Sequence, residues 1–244
     1  MRRITLVSCL SLAVLASACT DAGRPLVIIQ NQVPEAGCVV PGSANNDYRG
    51  IGFVDVNSPG GYLFFPLVQN VATGARNDIS RHVVSLRGAD VSLEFQEGVL
   101  GATIPENISR DLKLTHLTSG TVGPDGDTTG LAFVIITQSM LKSIRDDLQV
   151  LETDGTNFFT IIATVTVFGE MDGGTVESEE FVYPVQVCDG CLKQNLGACE
   201  ALPAGFVAAQ GFECTGLLQD RPVDCCTTAG GLELCPATTV AGGA

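Results

Sequence analysis

Cys188-Asp189-Gly190-Cys191 holds the two cysteines of this chain best spaced for chemistry, since two sulfurs three residues apart can cycle between dithiol and disulfide. The motif follows an apolar, strand-like run and opens a cysteine-dense tail, with no βαβ pattern around it. A structural disulfide is therefore expected, with a redox pair or a zinc knuckle shared with Cys225 and Cys226 as the alternatives. A second candidate is the loop Gly123-Pro124-Asp125-Gly126-Asp127-Thr128-Thr129-Gly130. Asp125 and Asp127 stand two apart and Gly130 takes the sixth place, as at the start of a calcium loop. The twelfth place, where a bidentate glutamate belongs, is Ile136, so a plain turn is expected and Ca2+ is the only cofactor left open. Of the two histidines, His116 shares a strand face with Leu112 and Leu114 and reads as partly buried, while His82 beside Arg81 reads as a surface residue. The chain contains no G-x-S-x-G elbow, H-E-x-x-H pair, phosphate loop or dinucleotide fingerprint, so no catalytic residue is nominated.

The elements that must position these residues are mostly strands. Val91, Leu93 and Phe95 alternate with Ser92, Glu94 and Gln96, and Leu112 and Leu114 alternate with Lys113 and Thr115, the period of half-buried strands. Residues 62–71 and 131–137 are more continuously apolar, as strands covered on both faces are. Residues 158–168 and 176–187 form the clearest hairpin, joined through Glu170-Met171-Asp172-Gly173-Gly174. One segment breaks the pattern: over 139–151, Leu141, Ile144, Leu148 and Leu151 recur at spacings of three and four, predicting a short amphipathic helix. Many short strands, glycine-rich turns and a single crossing helix predict a mainly β fold, an antiparallel sandwich of immunoglobulin-like or related type. Pro25-Leu26-Val27-Ile28-Ile29-Gln30-Asn31 echoes Pro66-Leu67-Val68-Gln69-Asn70, too briefly to be a repeat.

At the other end of the chain, Met1-Arg2-Arg3 precedes fifteen uncharged, mostly apolar residues that end in small side chains before Cys19. As a helix these would rise about 22 Å, short of the roughly 30 Å of a hydrocarbon core, so residues 1–18 read as a cleaved export signal. Leu15-Ala16-Ser17-Ala18-Cys19 resembles the lipobox of bacterial lipoproteins, with Ala16 where that family usually has leucine. The resemblance implies cleavage before Cys19 and acylation of its sulfur, and Thr20 in place of an aspartate implies the outer membrane. In outline the chain is similar to cysteine-rich envelope lipoproteins of Gram-negative bacteria, although no motif identifies a family for the mature part.

With Cys9 lost in the leader and Cys19 acylated, eight cysteines remain: Cys38, Cys188, Cys191, Cys199, Cys214, Cys225, Cys226 and Cys235. Seven of them fall within residues 188–235, a density above the roughly 8–10% that marks a disulfide scaffold, and none falls within 39–187. Seven cannot pair among themselves, so Cys38 is expected to bond one of them. Cys225 and Cys226 are neighbours, too close to bond each other comfortably, and are expected to take different partners. The expected organisation is a leader over 1–18, then an anchor cysteine, short tether and first strand over 19–38. A sandwich domain follows over 39–187, then a disulfide-rich module over 188–235 and a flexible tail over 236–244.

Removing the leader with Arg2 and Arg3 leaves 11 basic against 27 acidic residues, a net charge of −16, which argues against nucleic acid as a partner. The functional expectation is a non-enzymatic envelope lipoprotein, facing the periplasm or the exterior. Its partners would be the membrane, through the N-terminal lipid, and an envelope protein or glycan. A thiol–disulfide oxidoreductase using Cys188 and Cys191, or a metal-dependent hydrolase, are the alternatives.

Overall fold

The computed structural model describes residues 24–73, 82–96, 106–109, 112–148, 158–211, 214 and 218–237. The leader, Cys19, Thr20, Arg81, Leu151 and the tail beyond 237 lie outside the described residues.

The first strands are β1 (Leu26–Gln32), β2 (Tyr48–Arg49), β3 (Gly52–Asp55), β4 (Tyr62–Phe64), β5 (Pro66–Asn70) and β6 (Val84–Phe95). After the one-turn helix α1 (Glu106–Ser109) come β7 (Lys113–Val122), β8 (Thr128–Gly130) and β9 (Phe133–Ile136). Helix α2 (Gln138–Ser143) precedes β10 (Phe158–Met171), β11 (Gly174–Glu177), β12 (Phe181–Cys188) and β13 (Lys193–Ala198), and β14 (Val223–Thr227) and β15 (Glu233–Leu234) complete the set. They form a six-stranded sheet in the order β3-β12-β10-β6-β7 with β11 on β10, a four-stranded sheet β2-β1-β5-β8, a pair β4-β9, and a C-terminal sheet β13-β14-β15. The fold is thus mainly β and largely antiparallel, with parallel pairing between β3 and β12 and between β13 and β14.

Alternation along β10 builds the core. Phe159, Ile161, Ala163, Val165 and Val167 face inward, and the residues between them face out. The expected hairpin forms, with Ile161 opposite Val185 on β12 and Ala163 opposite Leu93 on β6. Two glycines flank one irregularity in register, where Arg87 is the extra residue of β6: Gly88 beside it in β6 and Gly169 across from Leu86 in β10. A Cβ at Gly88 would strike the His116 carbonyl and the Phe168 ring, and one at Gly169 would strike the Ser85 carbonyl, so both sites need glycine for close backbone approach. The two echoing segments of the sequence are sheet partners, β1 antiparallel to β5 with Leu26 opposite Asn70.

The continuous apolar runs resolve into short strands. Residues 62–71 divide into β4 and β5, which belong to different sheets. Of the helix period predicted over 139–151, Leu141 and Ile144 are buried while the Leu148 side chain lies outside the described residues; Met140 is buried beside them, and α2 is capped by Thr137, whose Oγ1 accepts from the Met140 amide. From Ile144 to Leu148 the ladder widens to a π-helical turn. Among the described residues no helix is long and apolar enough to cross a membrane.

Phe64 closes the core between the β4-β9 pair and the large sheet, its ring 5.1 Å from Tyr183, 5.8 Å from Phe133 and 5.9 Å from Phe181. Phe64→Ala is expected to cost about 3–5 kcal/mol, read as a lower denaturant midpoint at unchanged slope. A loss under about 1 kcal/mol would contradict this packing.

Candidate functional site

Ionisable and polar side chains converge inside the protein around Asp220. The segment 218–220 lies against β3 like a one-residue strand: Asp220 donates its amide to the Phe53 carbonyl (2.9 Å), Asp55 donates to the Leu218 carbonyl (3.1 Å), and Val54 bridges Gln219. Asp220 has φ 57°, a left-handed backbone that aspartate tolerates better than most residues, and this bend turns its carboxylate inward. Its side chain is 1% exposed. There it accepts from the Phe53 amide (2.9 Å), Gln219 Nε2 (3.1 Å) and the Tyr62 hydroxyl (3.3 Å), and pairs with Arg49 Nη1 at 3.3 Å.

The network continues from Tyr62. Its hydroxyl lies 3.0 Å from that of Tyr183, which accepts from Asn31 Nδ2 at 2.8 Å. Asn31 is held by the Phe65 amide, which donates to its Oδ1 at 2.9 Å, so the amide orientation is fixed. Because the carboxylate only accepts, Tyr62 donates to it and Tyr183 donates to Tyr62, a chain of three donors aimed at Asp220. Asn31 reaches inward through a register shift in β1 between Ile28 and Gln30. Leu26 and Ile28 face the core before it, and the odd-numbered Asn31 faces the core after it. Gln219, fully buried, clamps both backbone groups of Leu63: it accepts from the amide (2.9 Å) and donates to the carbonyl (2.7 Å).

Burial pushes the Asp220 carboxyl up from its ordinary value, outweighing the Arg49 charge, the Phe53 amide, Gln219 and Tyr62, which all pull it down. Burial, then the Asp220 charge and Tyr183, hold Tyr62 well above the usual phenol range. Tyr183 is pushed up to about 12, chiefly by burial.

Asp55, at the end of β3, anchors a second group. Its Oδ1 accepts from the Asn57 amide (2.9 Å) and Nδ2 (2.8 Å), and its Oδ2 accepts from the Gly190 amide (2.7 Å). Asn57 Nδ2 also reaches Asp189 (2.8 Å), and Asn57 Oδ1 accepts from Arg145 (3.0 Å). The Asp55 carboxylate and the sulfurs of Cys188 and Cys191 lie within 4.8 Å of one another.

The cysteines pair as Cys38–Cys214, Cys188–Cys191, Cys199–Cys226 and Cys225–Cys235. The neighbours Cys225 and Cys226 thus point to different partners, and Cys38 reaches across 176 positions to the C-terminal module. The loop holding Asp125 and Asp127 is a turn docked on β5: Gly126 donates to the Asn70 carbonyl, Asn70 donates to that of Asp127, and the Asp127 carboxylate accepts from the Gly123 amide. His116 is half-buried and stacks on Phe133 at 5.7 Å, and burial lowers its pKa. His82 is half-buried with Nδ1 2.7 Å from Asp172.

Sequence reasoning did not find Asp220, Arg49, Tyr62, Tyr183 and Asn31. They are scattered over 190 positions and lie in no recognisable motif; Asn31 and Gln32 ending an apolar run are the sole hint of buried polarity. No protein-family model fits the chain, and no curated protein or solved structure matches it.

A group whose folded pKa is raised stabilises most below its unfolded pKa and loses that contribution as pH rises through the folded one. The stability of wild type minus that of Asp220→Asn is therefore expected to fall as pH climbs through and above the carboxylate range. A difference that is flat or grows with pH would contradict the assignment. By the same sign, the native protein should withhold the phenolate absorbance of Tyr62 and Tyr183 at pH about 10, Tyr183 releasing it only toward about 12 or on alkaline unfolding. Full ionisation of the chain's three tyrosines near pH 10 in folded protein would overturn this.

Proposed function

We propose that the chain is an exported lipoprotein, held at the outer membrane by acylation of Cys19, whose β-rich body serves as a non-enzymatic binding or structural module of the cell envelope. The observation that carries this reading is the state of the Asp220 cluster. A catalytic carboxylate must meet its substrate, yet the Asp220 side chain is 1% exposed and its neighbours are spent on joining 218–220 to β2, β3 and β4. The buried ionisable groups of this cluster work as a fastening.

A partner would meet the outer face of the large sheet. An open cleft of about 330 Å³ there is lined by Asp90, Ser92, Lys113, Thr115, Thr164 and Thr166, hydroxyls and charges suited to an envelope protein or a glycan. The net charge of −16 for the mature chain disfavours nucleic acid. β1 begins at Leu26, so a lipid on Cys19 would leave a tether of six residues, about 20 Å at full stretch. As the finer description of the fold we propose a sandwich related to immunoglobulin domains, on the strength of many short antiparallel strands around one apolar core.

Cys19→Ser tests the anchor. The wild-type mature protein should carry a triacyl mass increment and fractionate with membranes, and the variant should lose both. Retention of the variant at the membrane would overturn the proposal.

A further inference from the structure

We infer that the Cys188–Cys191 disulfide is an exchangeable redox centre for the cysteine thiols of other exported molecules. In it Cys191 meets the partner, Cys188 resolves the intermediate and Asp55 carries the proton. This goes beyond the binding role proposed above and does not depend on the membrane anchor. Exchange is stoichiometric, one disulfide per chain, and needs no substrate pocket.

Three observations meet at this pair. The two sulfurs differ in access: Cys188 is 1% exposed at the end of β12, while Cys191 is an exposed residue on the turn that follows. An incoming thiolate can therefore approach Cys191 and is kept from Cys188. Next, a fully buried carboxylate stands beside both sulfurs, with Asp55 inside the same 4.8 Å cluster and its Oδ2 holding the Gly190 amide within the turn itself. Finally, the bond can open without unfolding its surroundings. It spans three positions in sequence, and β12 keeps its pairing with β10 on one side and β3 on the other. A loop this short contributes little in the chain-entropy account of disulfide stability.

The chemistry balances as follows. A partner thiol loses its proton, and its thiolate attacks Cys191 Sγ. A partner–Cys191 disulfide forms, the Cys188–Cys191 bond breaks, and the electron pair goes to the Cys188 sulfur. That sulfur, buried within the same cluster as the Asp55 carboxylate, takes the proton through Asp55. A second partner thiol then attacks the partner sulfur of the mixed disulfide, leaving a partner disulfide and the reduced pair, so two electrons pass from the partner to the protein. In reverse, Asp55 takes the Cys188 proton as that sulfur attacks Cys191 and expels the bound thiol.

The test uses the full mature chain and glutathione. Millimolar reduced glutathione, followed by alkylation and peptide mapping, should label Cys188 and Cys191 while the other three disulfides stay intact and the near-UV dichroism is retained. Labelling spread across the four disulfides, or none before the fold melts, would overturn the inference without touching the anchoring proposal. When oxidised glutathione is added to the selectively reduced protein, Cys188→Ser should trap one glutathione at Cys191 that wild type resolves. Asp55→Asn, which keeps an acceptor oxygen, should prolong the adduct at least about tenfold, as loss of a proton carrier does. An unchanged adduct lifetime in a folded Asp55→Asn protein would remove Asp55 from the mechanism, and failure of Cys188→Ser to trap would remove the exchange.

Discussion

Placing the Asp220 carboxylate out of reach of water obliges three separate strands to supply its partners, and much of the architecture follows from keeping those strands in register. Arg49 comes from β2, the Phe53 amide from β3 and the Tyr62 hydroxyl from β4. A buried charge costs several kcal/mol unless its partners are present together, so losing any one of them weakens the case for the rest. The same segment sends Gln219 to the Leu63 backbone, fixing the end of the chain to its middle. The C-terminal segment is thereby tied to the main body by polar contacts, while Leu218 packs in a separate cluster with Leu192, Val223 and Cys225.

β3 links the carboxylates of Asp220 and Asp55. It is four residues long and stands at the border of the six-stranded sheet, where an exposed row of amides and carbonyls would invite unwanted pairing. Residues 218–220 cover that border, Asp220 from within and Leu218 through the Asp55 amide. At its far end Asp55 turns to grip the loop that carries Cys191. A short strand thus joins the internal fastening to the surface disulfide.

The strands were legible wherever one face is buried and the other wet, as in β10, where alternation in the sequence matches alternation in space. The continuous run over 62–71 hid a change of sheet, because an unbroken apolar stretch carries no period to show where one strand ends. Cysteine parity pointed Cys38 toward the tail, but only three-dimensional proximity selects Cys214 among seven. The polar network left almost no trace. Asn31 faces inward because a bulge changes the parity of β1, and Asp220 does so because its backbone is left-handed; both depend on partners far away in sequence. Helix α2 was legible from the apolar spacing of Leu141 and Ile144, whereas the widening of the ladder after Ser143 was not.

The Cys38–Cys214 bond has a consequence for survival under proteolysis. It closes a covalent ring through 176 positions, taking in nearly the whole of the main sheet system. A protease that cuts any single peptide bond inside that ring opens it without shedding a fragment. The nicked halves stay joined through the sulfurs as well as through the strands that interleave them.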